Sequence, residues 1–286
     1  MNTATTAIMT EKREDFVRYY DENYGDYAAG WSPDHMHYGF WLPGTNDHEE
    51  SLVNTVKEII KELDISTRDT VLDAGSGSGG TCRYIARHTG ARVTGINLSP
   101  VLHGQALLLS ENLPDKERPR FELMDFTDTA FPDGSFSRVL ALESVCHTPD
   151  KNDFVREAFR LLQKGGRLLV SDFFLTDKKM TEDEKEMLNQ WLRGWAMPNL
   201  AGIEEFKIML ARAGFRDLQH HDKTELIYKS SSLMHDGAKE TLPAALLRYQ
   251  KGEVPQSYLL HTVALARQKE CLDAGLWRYF FFTAGR

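Results

Sequence analysis

The sequence predicts an α/β fold: a Rossmann-like, doubly wound, mostly parallel sheet with helices on both faces and a helical, aromatic-rich cap. Three observations carry that prediction. Short apolar runs alternate with helix-length amphipathic stretches through the first two thirds of the chain, and strands so separated pair in parallel through crossover helices. A glycine-rich turn, Gly75-Ser76-Gly77-Ser78-Gly79-Gly80, follows the first apolar run directly. The 286 residues, 41% of them hydrophobic, suffice for one large domain with a small cap and are too few for two generous ones. The chain is therefore read as a single domain over 1–286, with an N-terminal lid at about 11–45 and cap segments at about 178–200 and 228–274.

The elements follow in order. Phe16, Val17, Tyr19, Tyr20 and Tyr24 among charges suggest a short amphipathic helix within 11–25. Residues 31–44, WSPDHMHYGFWLPG, read as an ordered loop. Leu52, Val56, Ile59, Ile60 and Leu63 form a helical stripe between Asp47 and Leu63. Thr70–Asp73 is the first strand, and a helix starts in the glycine turn and runs through Tyr84 and Ile85. Ala91–Ile96 is the second strand, followed by Ser99-Pro100, where proline suits a helix start. Arg120–Leu123 and Phe136–Leu142 are further strands. A helix over about Asn152–Leu162 ends at Gly165-Gly166, and Arg167–Phe174 is a strongly apolar strand. Thr181–Ala213 reads as two helices broken near Pro198, Phe215–Ile227 holds a strand, and Leu276–Thr283 is the last one. The stretch Tyr228–Ala274, with Pro243 and Pro255, is mostly helical and belongs over the substrate pocket or across a neighbouring copy in a homo-oligomer.

Charge narrows the function. The net charge of -8 favours solubility and disfavours a nucleic-acid substrate, and no dense Lys/Arg stripe with interleaved aromatics is present. Cys82, Cys146 and Cys271 are far apart and form no CxxC pair, which fits a reducing cytoplasm. The N-terminus is polar to Thr10, unlike a signal peptide, and no apolar run approaches the roughly 20 residues of a membrane span.

The glycine turn points to a nucleotide-like cofactor. Gly75-x-Gly77-x-x-Gly80 permits close ligand approach beside helix N-terminal amides. That pattern also fits a dinucleotide, but Asp73, two residues before it, suits a cofactor with an ammonium group better than one with a pyrophosphate. Asn97 after the second strand can bond a ribose hydroxyl, and Leu98 can pack on an adenine face. Asp125 after the third strand can accept from an adenine amine, with Phe126 beside it. Together, at successive strand ends of one sheet, these residues describe a pocket.

With VLDAGSGSGG (71–80), ARVTGINLSP (91–100), Met124-Asp125, FPDGSFSRVLALESVCH (131–147) and LLQKGGRLLVSDFF (161–174), the chain resembles the class I S-adenosylmethionine-dependent methyltransferases. Over roughly residues 10–225 it looks like the subgroup of tocopherol, sterol and isoprenoid C-methyltransferases. The resemblance implies S-adenosylmethionine as cofactor, with Asp73, Gly75, Ser76, Gly77, Asn97, Leu98, Gln105, Asp125, Phe126 and Glu143 around it. Two departures stand out. Ser76 occupies a position where many relatives have cysteine, and Asn97 one where most class I members have an acid.

The chemical end of the pocket is predicted from residues after the fourth strand. Glu143 in Glu143-Ser144-x-x-His147 either bonds nearby backbone or acts in catalysis. In the second case it stabilises the cation that methylation of an alkene carbon creates and then removes a proton. His147 is either its helper or a proton acceptor, or a satisfied structural histidine. Tyr20 and Tyr38, from the aromatic N-terminal region, complete the candidate catalytic set. Trp191 and Trp195 share a face of the cap helix. His35, His37, Glu143 and His147 do not form a recognised zinc pattern, and no metal is expected. His220-His221-Asp222 reads as a polar strand surface. The expected reaction is methyl transfer to a carbon of a small, apolar, unsaturated natural product, including a prenyl diphosphate or terpenoid, with Arg18 and Arg193 as candidate partners of a diphosphate. The alternative is O- or N-methylation of a phenol, sugar or amine. A third reading is a catalytically silent binding protein or a nicotinamide enzyme, and the setting of Asp73 argues against the nicotinamide cofactor.

Overall fold

The computed structural model describes the backbone of residues 3–286 and the side chains from Phe16 onward; the side chains expected for the first part of the lid, 11–15, lie outside the described residues. Helix α1 is Thr3–Gly30, almost twice the length expected, and α2 is His48–Leu63. Then come β1 Thr70–Ala74, α3 Gly80–Thr89, β2 Arg92–Asn97, α4 Pro100–Ser110, β3 Arg120–Leu123 and β4 Phe136–Leu142. Helix α5 Lys151–Leu161 leads into β5 Leu162–Leu175. The C-terminal part is α6 Glu182–Gly194, α7 Ile203–Ala213, β6 Arg216–Asp222, α8 Thr224–Gln250, α9 Gln256–Asp273 and β7 Trp277–Gly285.

One seven-stranded sheet runs β3-β2-β1-β4-β5-β7-β6. The first five strands pair in parallel, while β7 is antiparallel to both β5 and β6. The order reverses at β1, so β1, β2 and β4 place their C-terminal ends around one crevice, where ligands of open α/β sheets bind.

Two sequence expectations are corrected. The fifth helix ends at Leu161 rather than at Gly165-Gly166, because Leu162 already pairs with Phe136 of β4, and Gly165 (φ +78°) makes the turn before the main run of β5. The sixth strand stops at Asp222, and Thr224 opens α8. Apolar residues 226 and 227 belong to that helix, whose buried positions include Ile227, Ser230, Ser231 and Met234. Pro243 lies inside α8 and Pro255 caps α9.

Strand β7 separates the two halves of the core by simple alternation. Trp277, Tyr279 and Phe281 face the cluster containing Phe40, Ile59 and Trp191; Phe280, Phe282 and Ala284 face the cluster containing Phe154, Phe174 and Phe206. A strand buried on both faces is largely apolar, and in WRYFFFT polar side chains are confined to Arg278 and Thr283 beside the aromatic ones. Helix α9 packs on α6 and α8, so the 228–274 segment folds back on its own chain. Among the described residues no helix is long and apolar enough to cross a membrane.

Phe281 is fully buried and its ring lies 5.3 Å from that of Phe40. Phe281→Ala is expected to cost about 3–5 kcal/mol, read as a lower urea midpoint; an unchanged midpoint would contradict the role given to β7.

Candidate active site

At the C-terminal end of β1, Asp73 is 1% exposed. The Cys82 thiol of α3 donates to its Oδ2 at 3.2 Å, while Oδ1 is buried with no hydrogen-bond partner. Burial pushes its carboxyl up to about 7. A buried carboxylate oxygen without a donor is costly, and its position calls for a cationic ligand group. The chain turns sharply at Gly75 (φ +95°), where a Cβ would lie 2.5 Å from that of Ser144.

The loop after α1 lies directly on the start of α3. A Cβ on Gly80 would meet the Asp34 carbonyl oxygen at 2.0 Å, so only glycine admits this approach. The Ser78 hydroxyl donates to the Pro33 and Asp34 carbonyls, and Arg83 pairs with Asp34 at 2.5 Å. Past β2, Asn97 Oδ1 accepts the Ser99 amide at 2.8 Å, which turns its amide nitrogen into the group left for a ligand. Ser99 caps α4 and donates to Asp21 of α1 at 2.5 Å, so the N-terminal helix is tied to the cofactor side of the sheet.

The predicted residues Asp73, Gly75, Ser76, Gly77, Asn97, Leu98, Phe126 and Glu143 all line one cavity, together with Tyr20 and His147. Three predicted residues are not in its wall. Asp125 accepts from the Thr127 amide and hydroxyl at 2.8 and 2.7 Å, and Gln105 sits on α4 outside the lining. The Tyr38 hydroxyl points elsewhere, donating to Gln268 of α9 at 2.6 Å.

Tyr38 matters through its backbone. Its amide donates to Glu143 Oε1 at 2.9 Å, and the Tyr279 hydroxyl of β7 donates to the same oxygen at 2.7 Å. Oε2 accepts no hydrogen bond from the described residues. Burial lifts the Glu143 carboxyl to about 8, against the lowering effect of those two donors. The residue holds φ at +50°, a conformation costly for a glutamate, while its own amide donates to Ser171 of β5 at 2.8 Å. Sequence alone offered His147 as the helper that orients Glu143; the structure assigns that work to Tyr38 and Tyr279.

His147 instead joins α1 to the cap. Its Nε2 accepts from the Tyr20 hydroxyl at 3.0 Å, and its Nδ1 faces the Ala196 carbonyl at 3.4 Å. Burial holds it down to about 3, so the ring is neutral. Behind Glu143 lies a second, small pocket walled by Tyr20, Tyr27, Phe173, Trp195, Met197 and Met234. Glu143, His147, Tyr20 and Met36 belong to the walls of both cavities. Lys151 fastens the turn that carries His147: its buried ammonium donates to the carbonyls of Cys146, Thr148 and Asn199 at 3.0, 2.6 and 2.9 Å. Trp191 and Trp195 are both buried, 5.8 Å apart, and His220 and His221 are exposed on β6. Among the described residues no group of three or more His, Cys, Asp or Glu could hold a metal ion.

Residues 72–170 match the family profile described as a methyltransferase domain. The chain is 31% identical to the 2-methyl-6-phytyl-1,4-hydroquinone methyltransferase of Synechocystis sp. over 273 residues, covering 88% of this chain and 82% of that protein. The chain is an S-adenosylmethionine-dependent methyltransferase. It is also 27% identical to the chloroplastic tocopherol O-methyltransferase of Arabidopsis thaliana, covering 88% of this chain and 82% of that one. The same fold occurs in a geranyl diphosphate methyltransferase solved with geranyl diphosphate and sinefungin, with a TM-score of 0.75 at 18% identity, over 96% of this chain and 99% of that one.

The methyltransferase's own residues fit that cofactor. The partnerless Asp73 oxygen suits the α-ammonium, the Asn97 amide suits a ribose oxygen, and Leu98 and Phe126 offer apolar faces for adenine. Asp73 would shed its proton as the ammonium arrives, so its contribution to S-adenosylhomocysteine affinity is expected to decline as pH falls below about 7. Calorimetry across that range checks it, and Asp73→Asn should remove the decline; a variant that keeps the same pH profile would contradict the assignment.

Proposed function

We propose that this methyltransferase adds a methyl group to a carbon of an apolar, unsaturated small molecule of isoprenoid character. One observation carries the reading: Glu143 stands in the wall shared by the cofactor cavity and the aromatic chamber, pinned through Oε1 alone. When bound, the cofactor supplies an electrophilic methyl. The acceptor's π electrons form the new carbon–carbon bond as the carbon–sulfur bond breaks, which leaves a cation on the neighbouring acceptor carbon. Glu143 Oε2 then takes a proton from the adjacent carbon and the alkene re-forms. Tyr20, Tyr27, Phe173 and Trp195 offer π faces to the cation. The burial that raises the Tyr20 and Tyr27 phenols keeps both neutral, so they add no competing anion.

In this reading α1 and the following loop form the lid, and the 178–200 and 228–274 segments form the cap. A third, open cavity shares His147 with both of the others and Met197 with the second, and carries both Arg18 and Arg193 in its wall. A polar or diphosphate end of the acceptor fits there, with the apolar end in the chamber. The phytyl hydroquinone named for the Synechocystis relative is an acceptor of similar apolar kind. A second reading, methylation of a phenol or amine, draws on the Tyr20–His147 pair, where a heteroatom proton can pass to the Tyr20 hydroxyl as that hydroxyl gives its own to the neutral imidazole.

Methyl-labelled cofactor offered with prenyl diphosphates, prenylated phenols and amines tests the proposal, with NMR locating the label. Label on carbon supports it; label on oxygen or nitrogen replaces it with the second reading. With a carbon acceptor, Glu143→Gln is expected to lower kcat by about 100-fold or more while cofactor affinity changes little. The wild-type rate should rise with pH through about 8 as Glu143 ionises; an unchanged rate in the variant would remove Glu143 from the chemistry.

A further inference from the structure

The cofactor's methionine end carries a carboxylate as well as an ammonium, and among the described residues the cavity wall contains no lysine or arginine. Arg83 lies just behind it, but its guanidinium is taken by Asp34 and by the Ser78 carbonyl. The basic groups in the wall are three histidines. His147 has both ring nitrogens engaged, by Tyr20 and Ala196. His37 has both engaged as well: Nδ1 donates to the Tyr38 carbonyl at 2.9 Å, and Nε2 meets His35 Nδ1 at 3.2 Å.

That chain of contacts fixes the tautomers. Because the Tyr38 carbonyl can only accept, His37 carries its proton on Nδ1 and its Nε2 must accept. His35 therefore carries its proton on Nδ1, and its Nε2 is a lone-pair nitrogen to which no described residue bonds. Among the described residues it is the one basic atom of the wall with valence to spare.

We infer that His35 receives the carboxylate of the cofactor, as a specificity-determining residue for the amino-acid end of the ligand, opposite the Asp73 site for the ammonium. The loop is built to hold it there. The Ser32 hydroxyl accepts the Asp34 and His35 amides at 3.3 Å each, and Ser78 and Arg83 clamp the preceding residues onto α3. The amides at the start of α3 add neutral donors, whereas His35, among the described residues of the wall, can add charge.

A proton must accompany the carboxylate, since neutral Nε2 cannot donate. In the free site burial, Arg83 of α3 and His48 of α2 hold His35 down to about 4, with neutral His37 beside it; Asp34 is paired with Arg83, and Glu49 of α2 lies near Asp34. The arriving carboxylate offsets that repulsion, so binding takes up a proton at His35. This contribution to affinity fades as pH rises through the raised pKa of the bound state, the reverse of the Asp73 effect.

Calorimetry with S-adenosylhomocysteine and its decarboxylated counterpart tests the inference without any acceptor. His35→Gln is expected to weaken S-adenosylhomocysteine by about 10- to 100-fold and the decarboxylated ligand by less than about threefold. Equal losses for both ligands would make His35 a structural part of the loop, and no loss for either would leave the carboxylate on the α3 amides; each result overturns the inference. In wild-type protein labelled with ¹⁵N-histidine, S-adenosylhomocysteine should protonate His35 Nε2 and the decarboxylated ligand should not. That readout needs no variant to fold, and an imidazole that stays neutral with both ligands would likewise overturn it.

Discussion

Glu143 Oε1 accepts two hydrogen bonds, from the Tyr38 amide and the Tyr279 hydroxyl, and the rest of the site depends on that junction. The three partners come from the N-terminal loop, the end of β4 and the C-terminal strand β7, so the contact ties that loop to two strands of the sheet around one carboxylate. Ser171 extends it, donating to the Tyr279 hydroxyl at 2.7 Å from β5. A buried carboxylate held by two donors on one oxygen is fixed in direction while its other oxygen stays available. The unfavourable backbone at Glu143 fits this picture, because strain is kept where surrounding structure over-determines it.

Burial sets the charges of the whole site. Asp73, Asp172 and Glu143 are lifted to about 7, 6 and 8, while His35, His37 and His147 are lowered to about 4, 3 and 3. A largely neutral wall disfavours small hydrated ions and waits for a ligand that brings its own charges. Such a ligand would favour the ionised form of Asp73 and, in the proposed arrangement, the protonated form of His35, so binding and protonation are coupled at those two groups. Cys82 on Asp73 and Lys151 beneath the Val145–His147 turn hold the geometry in place of ion pairs.

The parallel half of the sheet was legible because each strand and crossover helix carries its own period, and the glycine turn, Asp73 and Asn97 mark strand ends. Glu143 was legible for the same reason: it follows a strand beside the glycine turn. Its two donors were not. Tyr38 acts through its amide, which no side-chain pattern reports, and Tyr279 lies 136 positions away, reaching Glu143 only because β7 pairs antiparallel to β5 in one register. Met234 and Tyr27 were missed because each sits on a long helix whose rotation is set by packing. The 228–274 segment was read as helical, but its start was misplaced, since Leu226 and Ile227 suit a strand as well as a helix until Thr224 is seen to begin α8.

The most direct measurement is infrared difference spectroscopy of the cofactor-free protein labelled with ¹³C-glutamate, with Glu143→Gln as the subtraction, titrated across pH. The account expects a protonated carboxyl band from Glu143 that disappears with a midpoint near pH 8. A midpoint in the ordinary carboxylate range near 4.5 would show Glu143 solvated and unpinned, and would contradict its place at the centre of the site.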